Sequence, residues 1–148
     1  MDIFCRNLRE VDALVAEHLM NWTWVLYNPE THRGRLLIPK FDAEFLKYND
    51  GSPQWLPATG EERLALDWIE CGLVPHYTTG EEIGAVIQNR EQNGYFISVA
   101  DGRYYGTEDY ECIFRNRSGL FSNLADSIPV AICLAALSTA GINARLKF

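Results

Sequence analysis

The stretch SIPVAICLAALSTAG, residues 127–141, gives the strongest indication of the fold. Asp126 or Ser127 can cap a helix here, Pro129 is tolerated in its first turn, and Gly141 can end it. The residues between these signals are apolar almost all round the helix, so no face of it is suited to solvent. The stretch therefore predicts a nearly buried helix that other elements cover on more than one side.

Outward from this helix, the preceding segment changes to the two-residue alternation that is typical of strands. Apolar and aromatic residues alternate there with polar ones, and Asp101-Gly102 is a turn signal. The pattern predicts an antiparallel meander, followed by a loop over residues 118–123 that exposes Leu120 and Phe121. The predicted strands are Tyr95–Val99, Arg103–Tyr105 and Tyr110–Arg115.

The amino-terminal part of the sequence predicts a helix followed by a hairpin. From Asn7 to Met20, apolar residues recur at the three- and four-residue spacing of one helical face. The aromatic and β-branched run Trp22–Tyr27 predicts a strand, which Asn28-Pro29 ends. Gly34–Pro39 predicts the partner strand, and the short connection containing Asn-Pro and Gly favours antiparallel pairing.

Two capping boxes of the S/T-x-x-E type predict two further helices. Thr59–Glu62 begins the first, which Gly72 can end. Thr79–Glu82 begins the second, which Asn93-Gly94 terminates. Residues 40–58 carry the turn residues Asn, Asp, Gly, Ser and Pro, and predict an irregular, exposed excursion.

Residues 1–148 are thus expected to form one α+β domain, a sandwich in which an antiparallel sheet of about five strands packs with about four helices. Three stretches, in their order and spacing, resemble the bacteriophage family called the phage ABA sandwich domain. These are Val11–Trp22, Val74–Thr79 and Ser127–Leu137. They are similar to the family's opening helix, the entry to its central helix and its closing alanine-rich helix.

The resemblance covers most of residues 8–141. It implies a phage or prophage protein with helices against an antiparallel sheet and with no general assigned activity. The sequence departs from the family's pattern over Phe41–Cys71 and around Leu120. Because variable loops on a fixed scaffold commonly carry binding, these departures are where we expect a function particular to this chain.

The net charge disfavours one class of function. The chain of 148 residues has a formal charge of −7, and ten of its 13 cationic side chains are arginines. A protein that gains its affinity by neutralising many phosphates needs the opposite sign, so general nucleic-acid binding is not expected. No apolar run is long enough to span a membrane, and the first ten residues lack the pattern of a signal peptide. We expect a protein of the host bacterial cytoplasm.

The cysteines and histidines do not indicate a metal site. The four cysteines (Cys5, Cys71, Cys112, Cys133) are far apart and are interpreted as reduced thiols, most of them among apolar neighbours. The three histidines (His18, His32, His76) include no i, i+4 pair of the kind that clamps a metal. Cys71 and His76 could pair across a bend, but a structural role for both is favoured. We expect no metal and no cofactor.

No catalytic motif is recognised either. None of the serines lies in a G-x-S-x-G or S-x-x-K motif, and there is no glycine-rich nucleotide loop. The carboxylates Glu108, Asp109 and Glu111 crowd one hairpin, where they could act as an acid and base or bind a cation. An exposed, solvated turn is the favoured interpretation of this cluster. The chain is therefore not expected to be an enzyme.

Arginines and aromatic residues are the candidate binding groups. Arg33 and Arg35, and again Arg115 and Arg117, lie two residues apart near strand ends, so each pair is expected on one face. Paired guanidinium groups recognise carboxylates or phosphates, although solvation of exposed strand ends remains the simpler alternative. The full candidate set is Arg33, Arg35, Trp55, Arg103, Tyr104, Arg115, Arg117 and Phe121.

The leading functional hypothesis is a non-enzymatic phage accessory protein that inhibits a bacterial defence by binding a host protein, as anti-CRISPR proteins do. Its acidity favours this, because a negative surface can compete for the basic surface of a host nuclease complex. The first alternative is an oligomer that sequesters a cyclic-nucleotide immune signal with arginines and aromatic residues at subunit junctions. The second is a structural virion protein.

Overall fold

An α+β architecture is formed by residues 1–28, 33–40, 74–102 and 109–146, the part of the chain that this computed structural model describes. Within those ranges there are three helices and seven strands. In chain order they are β1 (Asp2–Cys5), α1 (Leu8–Leu19), β2 (Trp22–Asn28), β3 (Arg33–Pro39), α2 (Ile83–Gln92), β4 (Phe96–Asp101), β5 (Tyr110–Asn116), β6 (Gly119–Ala125), α3 (Ile128–Thr139) and β7 (Asn143–Leu146).

The described strands form three small sheets. β2 and β3 are the predicted antiparallel hairpin, β4, β5 and β6 form an antiparallel meander, and β1 pairs with β7 in parallel. The expected single sheet of about five strands is therefore not matched. One reason is that β1 and β7 have four residues each, too few for a periodic pattern to reveal them.

α3 is the buried centre of the structure, as its sequence predicts. Its residues from Val130 to Leu137 are all buried, and it packs against α1, α2, β5, β6 and β7. The Ser127 hydroxyl accepts a hydrogen bond from the backbone N–H of Val130 at 3.4 Å, which confirms the predicted cap. Gly141 ends the helix with a left-handed φ of 79°.

α1 confirms the predicted amino-terminal helix and covers one side of α3. The Asn7 side chain caps it by accepting a hydrogen bond from the backbone N–H of Glu10 at 3.0 Å. Val11, Leu14 and Val15 lie on its buried side. The chain leaves the helix through Asn21, whose φ of 61° lies in the left-handed region that asparagine tolerates.

α2 is also confirmed, but not its predicted capping box. The helix follows Glu82, and no side-chain hydrogen bond caps it. The Thr79 hydroxyl instead donates to the backbone carbonyl of His76 at 3.2 Å, because residues 77–80 form a turn before the helix starts. The predicted terminator is present, with Gly94 at a φ of 88°.

The loop expected over residues 118–123 is wrong. Gly119–Ala125 is strand β6, joined to β5 through the short turn Arg117-Ser118 and paired with it in register, with Phe121 opposite Phe114. Leu120 is exposed as expected, but Phe121 is half-buried. A strand with one solvated face has too weak a hydrophobic alternation to be told from a loop when Ser118-Gly119 precedes it.

Three other predictions lie outside the described residues: the helix over 59–72, the short strand Arg103–Tyr105, and the excursion over 40–58 apart from Lys40. Among the helices of the described ranges, none has the length and apolar character needed to cross a membrane.

Candidate functional site

The structure brings some of the predicted binding residues together and separates others. Arg115 is exposed at the end of β5, and Arg117 is exposed in the turn that follows. Phe121 lies on the opposite side of the meander, where its ring meets that of Tyr95 edge-on at 6.0 Å. Arg33 and Arg35 lie on β3. Trp55, Arg103 and Tyr104 lie outside the described residues.

Strand alternation and register define two faces of the meander. The inner face packs on α3 and includes the fully buried Cys112 and Phe114. The other face, called the outer face below, consists of three cross-strand rows. These rows are Phe96–Arg115–Leu120, Ser98–Ile113–Ser122 and Ala100–Glu111–Leu124.

Large apolar side chains lie open on the outer face. Phe96 is 74% exposed, Leu120 is 69% exposed and Leu124 is 48% exposed. Single exposed apolar residues are ordinary, but three on one small sheet face, with the half-buried Ile113 between them, form a patch. Such a patch on a soluble sheet typically marks a contact surface.

One end of the outer face is a cationic cleft of about 550 Å³. Phe96, Arg115 and Arg117 line it together with Gly94, Asn116 and Ser118. Neither arginine forms an ion pair with a residue in the described part of the chain. Two guanidinium groups can therefore bind a carboxylate or phosphate here, while the Phe96 ring offers an apolar contact beside it.

The other end of the outer face is acidic. Glu111 lies in the last row, and the backbone N–H of Gly102 donates to the carbonyl of Asp109 at 2.8 Å, which continues the β4–β5 ladder by one residue. Asp109 therefore alternates onto the same face as Glu111. Across the described residues there is no group of three or more His, Cys, Asp and Glu side chains able to hold a metal ion.

The described cysteines are buried and not joined in disulfides. Cys5, Cys112 and Cys133 are free thiols with no exposed surface. Burial raises the pKa of Cys5 and of Cys112 to about 12, and burial also raises the pKa of Cys133. A nucleophilic cysteine needs a lowered pKa and access to solvent, so these three side chains are core residues. Cys71 lies outside the described residues.

A second cleft, of about 630 Å³, lies between β6 and β7. Residues 122–125 of β6, Asp126 after it and 143–146 of β7 line it, together with Leu8, Asp109 and Leu134, so it is mainly a gap between two strand edges. Its charged side chains are of both signs, Asp109 and Asp126 against Arg145, and no aromatic ring lines it. The cationic cleft of the outer face has the more defined recognition chemistry.

Comparison with known proteins adds no relative to this description. No protein-family profile, curated protein or solved structure matches the chain. The geometry of the outer face is therefore the basis for a functional proposal.

Sequence reasoning missed two of the residues that make the outer face. Phe96 and Leu124 were not candidates, because the pairing of Phe96 with Arg115 depends on the β4–β5 register and Leu124 belongs to the unpredicted strand β6. The available signal was the alternation of Phe96 with Ser98 and Ala100 on one side of a predicted strand. That alternation shows that the ring points away from the inner residues, but not what it lies beside.

Proposed function

We propose that this chain is a non-enzymatic binding protein that recognises an acidic group on another protein through the cationic cleft of its outer face. One observation carries the proposal: Phe96 is 74% exposed and lines the same cleft as the exposed Arg115 and Arg117. An apolar ring beside guanidinium groups that form no ion pair with any described residue is the composition of an interface anchor, since aromatic residues and arginine supply most binding hot spots.

The biological setting is proposed from the sequence resemblance to phage ABA sandwich domains. On that basis the chain is a phage accessory protein, and its target is a host protein of an antiviral defence in the bacterial cytoplasm. The formal charge of −7 supports a protein target over nucleic acid. The guanidinium groups would then pair with carboxylates at the rim of the target's surface, which makes binding sensitive to salt.

Capture from a lysate of the bacterial host tests this proposal. The tagged chain is compared with the double variant Arg115→Ala, Arg117→Ala, and with Arg145→Ala, which removes an exposed arginine elsewhere. We expect a host protein, identified by mass spectrometry, to be retained by the wild type and by Arg145→Ala and to be lost with the double variant. Capture of nothing by the wild type, or equal capture by the double variant, would overturn the proposal.

A cyclic-nucleotide sponge is the second candidate, and the same cleft favours it. Guanidinium groups can hold a phosphate while a neighbouring ring stacks on a base. Heat-denatured protein is analysed for released nucleotide, and cyclic nucleotides are tested for a shift in the melting temperature. Released nucleotide, or a shift that Arg115→Ala abolishes, would support the sponge and reject the acidic-protein target.

A further inference from the structure

We propose that a second copy of this chain binds over the outer face, related by a twofold axis that crosses β5 at Ile113. In this pairing the cationic end of each copy lies against the acidic end of the other. The site is the one assigned above to an acidic target. The pairing itself rests on the geometry of the face, and only its regulatory consequence rests on the proposed function.

The order of charged residues along β5 is the first reason for proposing this pairing. On the outer face, β5 presents Glu111, Ile113 and Arg115 in order, and Asp109 lies just before the strand while Arg117 lies in the turn after it, so two acids and two arginines flank an apolar centre. A twofold axis through the central residue exchanges the two halves. It places Arg115 opposite Glu111 of the second copy, and Arg117 opposite Asp109, and repeats both pairs by symmetry.

The neighbouring strands are complementary under the same operation. The axis runs across the strands, so the row that contains Arg115 in one copy meets the row that contains Glu111 in the other, and the two middle rows meet each other. On β4 the large Phe96 then lies over the small Ala100, and on β6 Leu120 lies against Leu124. The first contact places a large side chain on a small one, and the second brings two apolar side chains together. Both suit the close packing of two sheets about 10 Å apart.

The charges concerned are available for such a contact. Asp109, Glu111, Arg115 and Arg117 form no ion pair within the described part of the chain. Two arginines of the amino-terminal part differ: Arg6 binds Glu10 at 2.7 Å and Arg9 binds Asp12 at 2.8 Å. Among the residues that the structure describes, the outer face thus combines unpaired charges of both signs with exposed apolar side chains.

The size of the face sets the strength of the pairing. From strand rise and spacing, the surface is about 23 Å along the seven residues of β5 and about 14 Å across three strands. Two such surfaces bury less than about 1,200 Å², the lower end for specific interfaces. We therefore expect a weak, reversible dimer, in which the ion pairs weaken as salt rises.

This weak pairing regulates the site of the proposed function. A second copy occupies the cationic cleft with its own Glu111 and Asp109, the same chemical groups that the target would supply. Self-association and target binding therefore exclude each other. An acidic target that binds more tightly than the second copy displaces it by mass action.

Sedimentation equilibrium over a range of concentrations tests the pairing with charge-swapped variants. Glu111→Arg or Arg115→Glu alone brings like charges together at two symmetric points, and each should raise the dimer dissociation constant at least tenfold. The double variant Glu111→Arg, Arg115→Glu restores opposite charges and should return to within about threefold of the wild type. Glu91→Arg, on the exposed side of α2, is the matched charge change and should not alter the dimer. Circular dichroism confirms that each variant is folded.

The outcomes separate this proposal from the previous one. If the chain stays monomeric at all concentrations, the pairing is overturned, whether or not another segment covers the outer face. A dimer that the double swap fails to restore also overturns the pairing. Glu111→Arg keeps both arginines, so a target captured by the wild type should still be captured by this monomeric variant. If the wild-type chain forms the dimer but captures no target, the result contradicts only the acidic-target function.

Discussion

Arg9 and Asp12, one turn apart on α1, form an ion pair of 2.8 Å that also holds a distant segment of the chain. The same arginine donates to the backbone carbonyls of Val74 and Pro75, at 2.7 and 3.2 Å. Asp12 is fully buried, and its carboxylate accepts a hydrogen bond from the backbone N–H of Thr78 at 2.8 Å. The pair is therefore a clamp between α1 and the turn that leads into α2.

Removing the carboxylate of this clamp should strongly destabilise the fold. Asp12→Ala leaves the guanidinium of Arg9 without its ion-pair partner and the Thr78 N–H without an acceptor. Breaking a buried pair in this way costs about 3–5 kcal/mol of the free energy of unfolding. Urea unfolding measures the loss, with Glu91→Ala on the exposed side of α2 as the control. A loss below about 1 kcal/mol would contradict the clamp.

The stability of the fold should fall in alkaline solution. Burial raises the pKa of Cys5 and of Cys112 to about 12, and also that of the Tyr77 hydroxyl to about 12. Unfolded thiols lose their protons near pH 9, so above that pH the unfolded state binds fewer protons than the folded state. The stabilisation is complete below about pH 9 and is lost as the pH rises towards about 12.

Urea midpoints at about pH 7 and about pH 10.5 measure this loss. Cys112→Ala removes one titrating group and should make the decline shallower. Labelling with iodoacetamide at about pH 8, mapped by mass spectrometry, should leave Cys5, Cys112 and Cys133 unmodified in the native protein. Equal stability at both pH values, or rapid labelling of these three thiols, would show that they are not buried as described.

The elements that sequence reasoning predicted are those whose signals are local. Apolar spacing, capping residues and turn residues predict α1, α3 and the β2–β3 hairpin, and the signals for each element lie within about 20 residues of sequence. Ser127 and Gly141 bound α3 as predicted. The apolar surface of α3 also predicted correctly that several elements cover it, since a helix without a polar face has no other stable environment.

What sequence reasoning missed depends on contacts between distant residues. β1 pairs with β7, with Ile3 opposite Ala144, and no local pattern reports a pairing across the length of the chain. The prediction of the candidate site from sequence was limited: Arg115 and Arg117 line one cleft, but Arg117 lies in the turn after β5 and not on the strand face that their spacing suggested, and Phe96 joins them only through strand register. Register is set by the packing of whole sheets, which a single strand's residues do not specify.

Arg90 should contribute to stability although it has no acidic partner in the described part of the chain. Arg90 is 8% exposed as a residue. Its guanidinium donates to the Thr139 hydroxyl at 2.9 Å and to the Asn89 side chain at 2.7 and 3.1 Å, and it lies 5.5 Å from the centre of the Tyr95 ring. Burial lowers its pKa. Thr139 is the last residue of α3, so the negative end of the helix dipole offsets the buried charge.

Arg90→Lys should therefore cost about 1–3 kcal/mol, because an ammonium group is more strongly hydrated and cannot reproduce the planar set of hydrogen bonds. Arg145→Lys, at an exposed site on β7, is the matched control and should change the free energy of unfolding by less than about 0.5 kcal/mol. If the two substitutions have equal effects in urea unfolding, Arg90 is not held as the structure shows.

Two glycines should respond to alanine in opposite directions. Gly80 has a φ of +96°, and a Cβ there would lie 3.2 Å from Cγ of Pro129. Gly80→Ala therefore combines backbone strain with a close contact, and it should lower the free energy of unfolding by about 1–3 kcal/mol. Gly84 lies in α2 with nothing within 4 Å of its added Cβ. Gly84→Ala should stabilise the fold by about 0.5–1 kcal/mol through helix propensity. Melting temperatures of both variants decide the matter, since shifts of the same sign would be inconsistent with this geometry.

The two faces of the meander should differ sharply in how they respond to the loss of a phenylalanine ring. Phe114 on the inner face is fully buried, whereas Phe96 on the outer face is 74% exposed. Phe114→Ala leaves a cavity against α3 and should cost about 3–5 kcal/mol, while Phe96→Ala in dilute solution should cost less than about 0.5 kcal/mol. Urea unfolding at low protein concentration measures both values. A large loss for Phe96→Ala under these conditions would mean that its ring is packed within a single copy of the chain, and the outer face would then not be free to bind a partner.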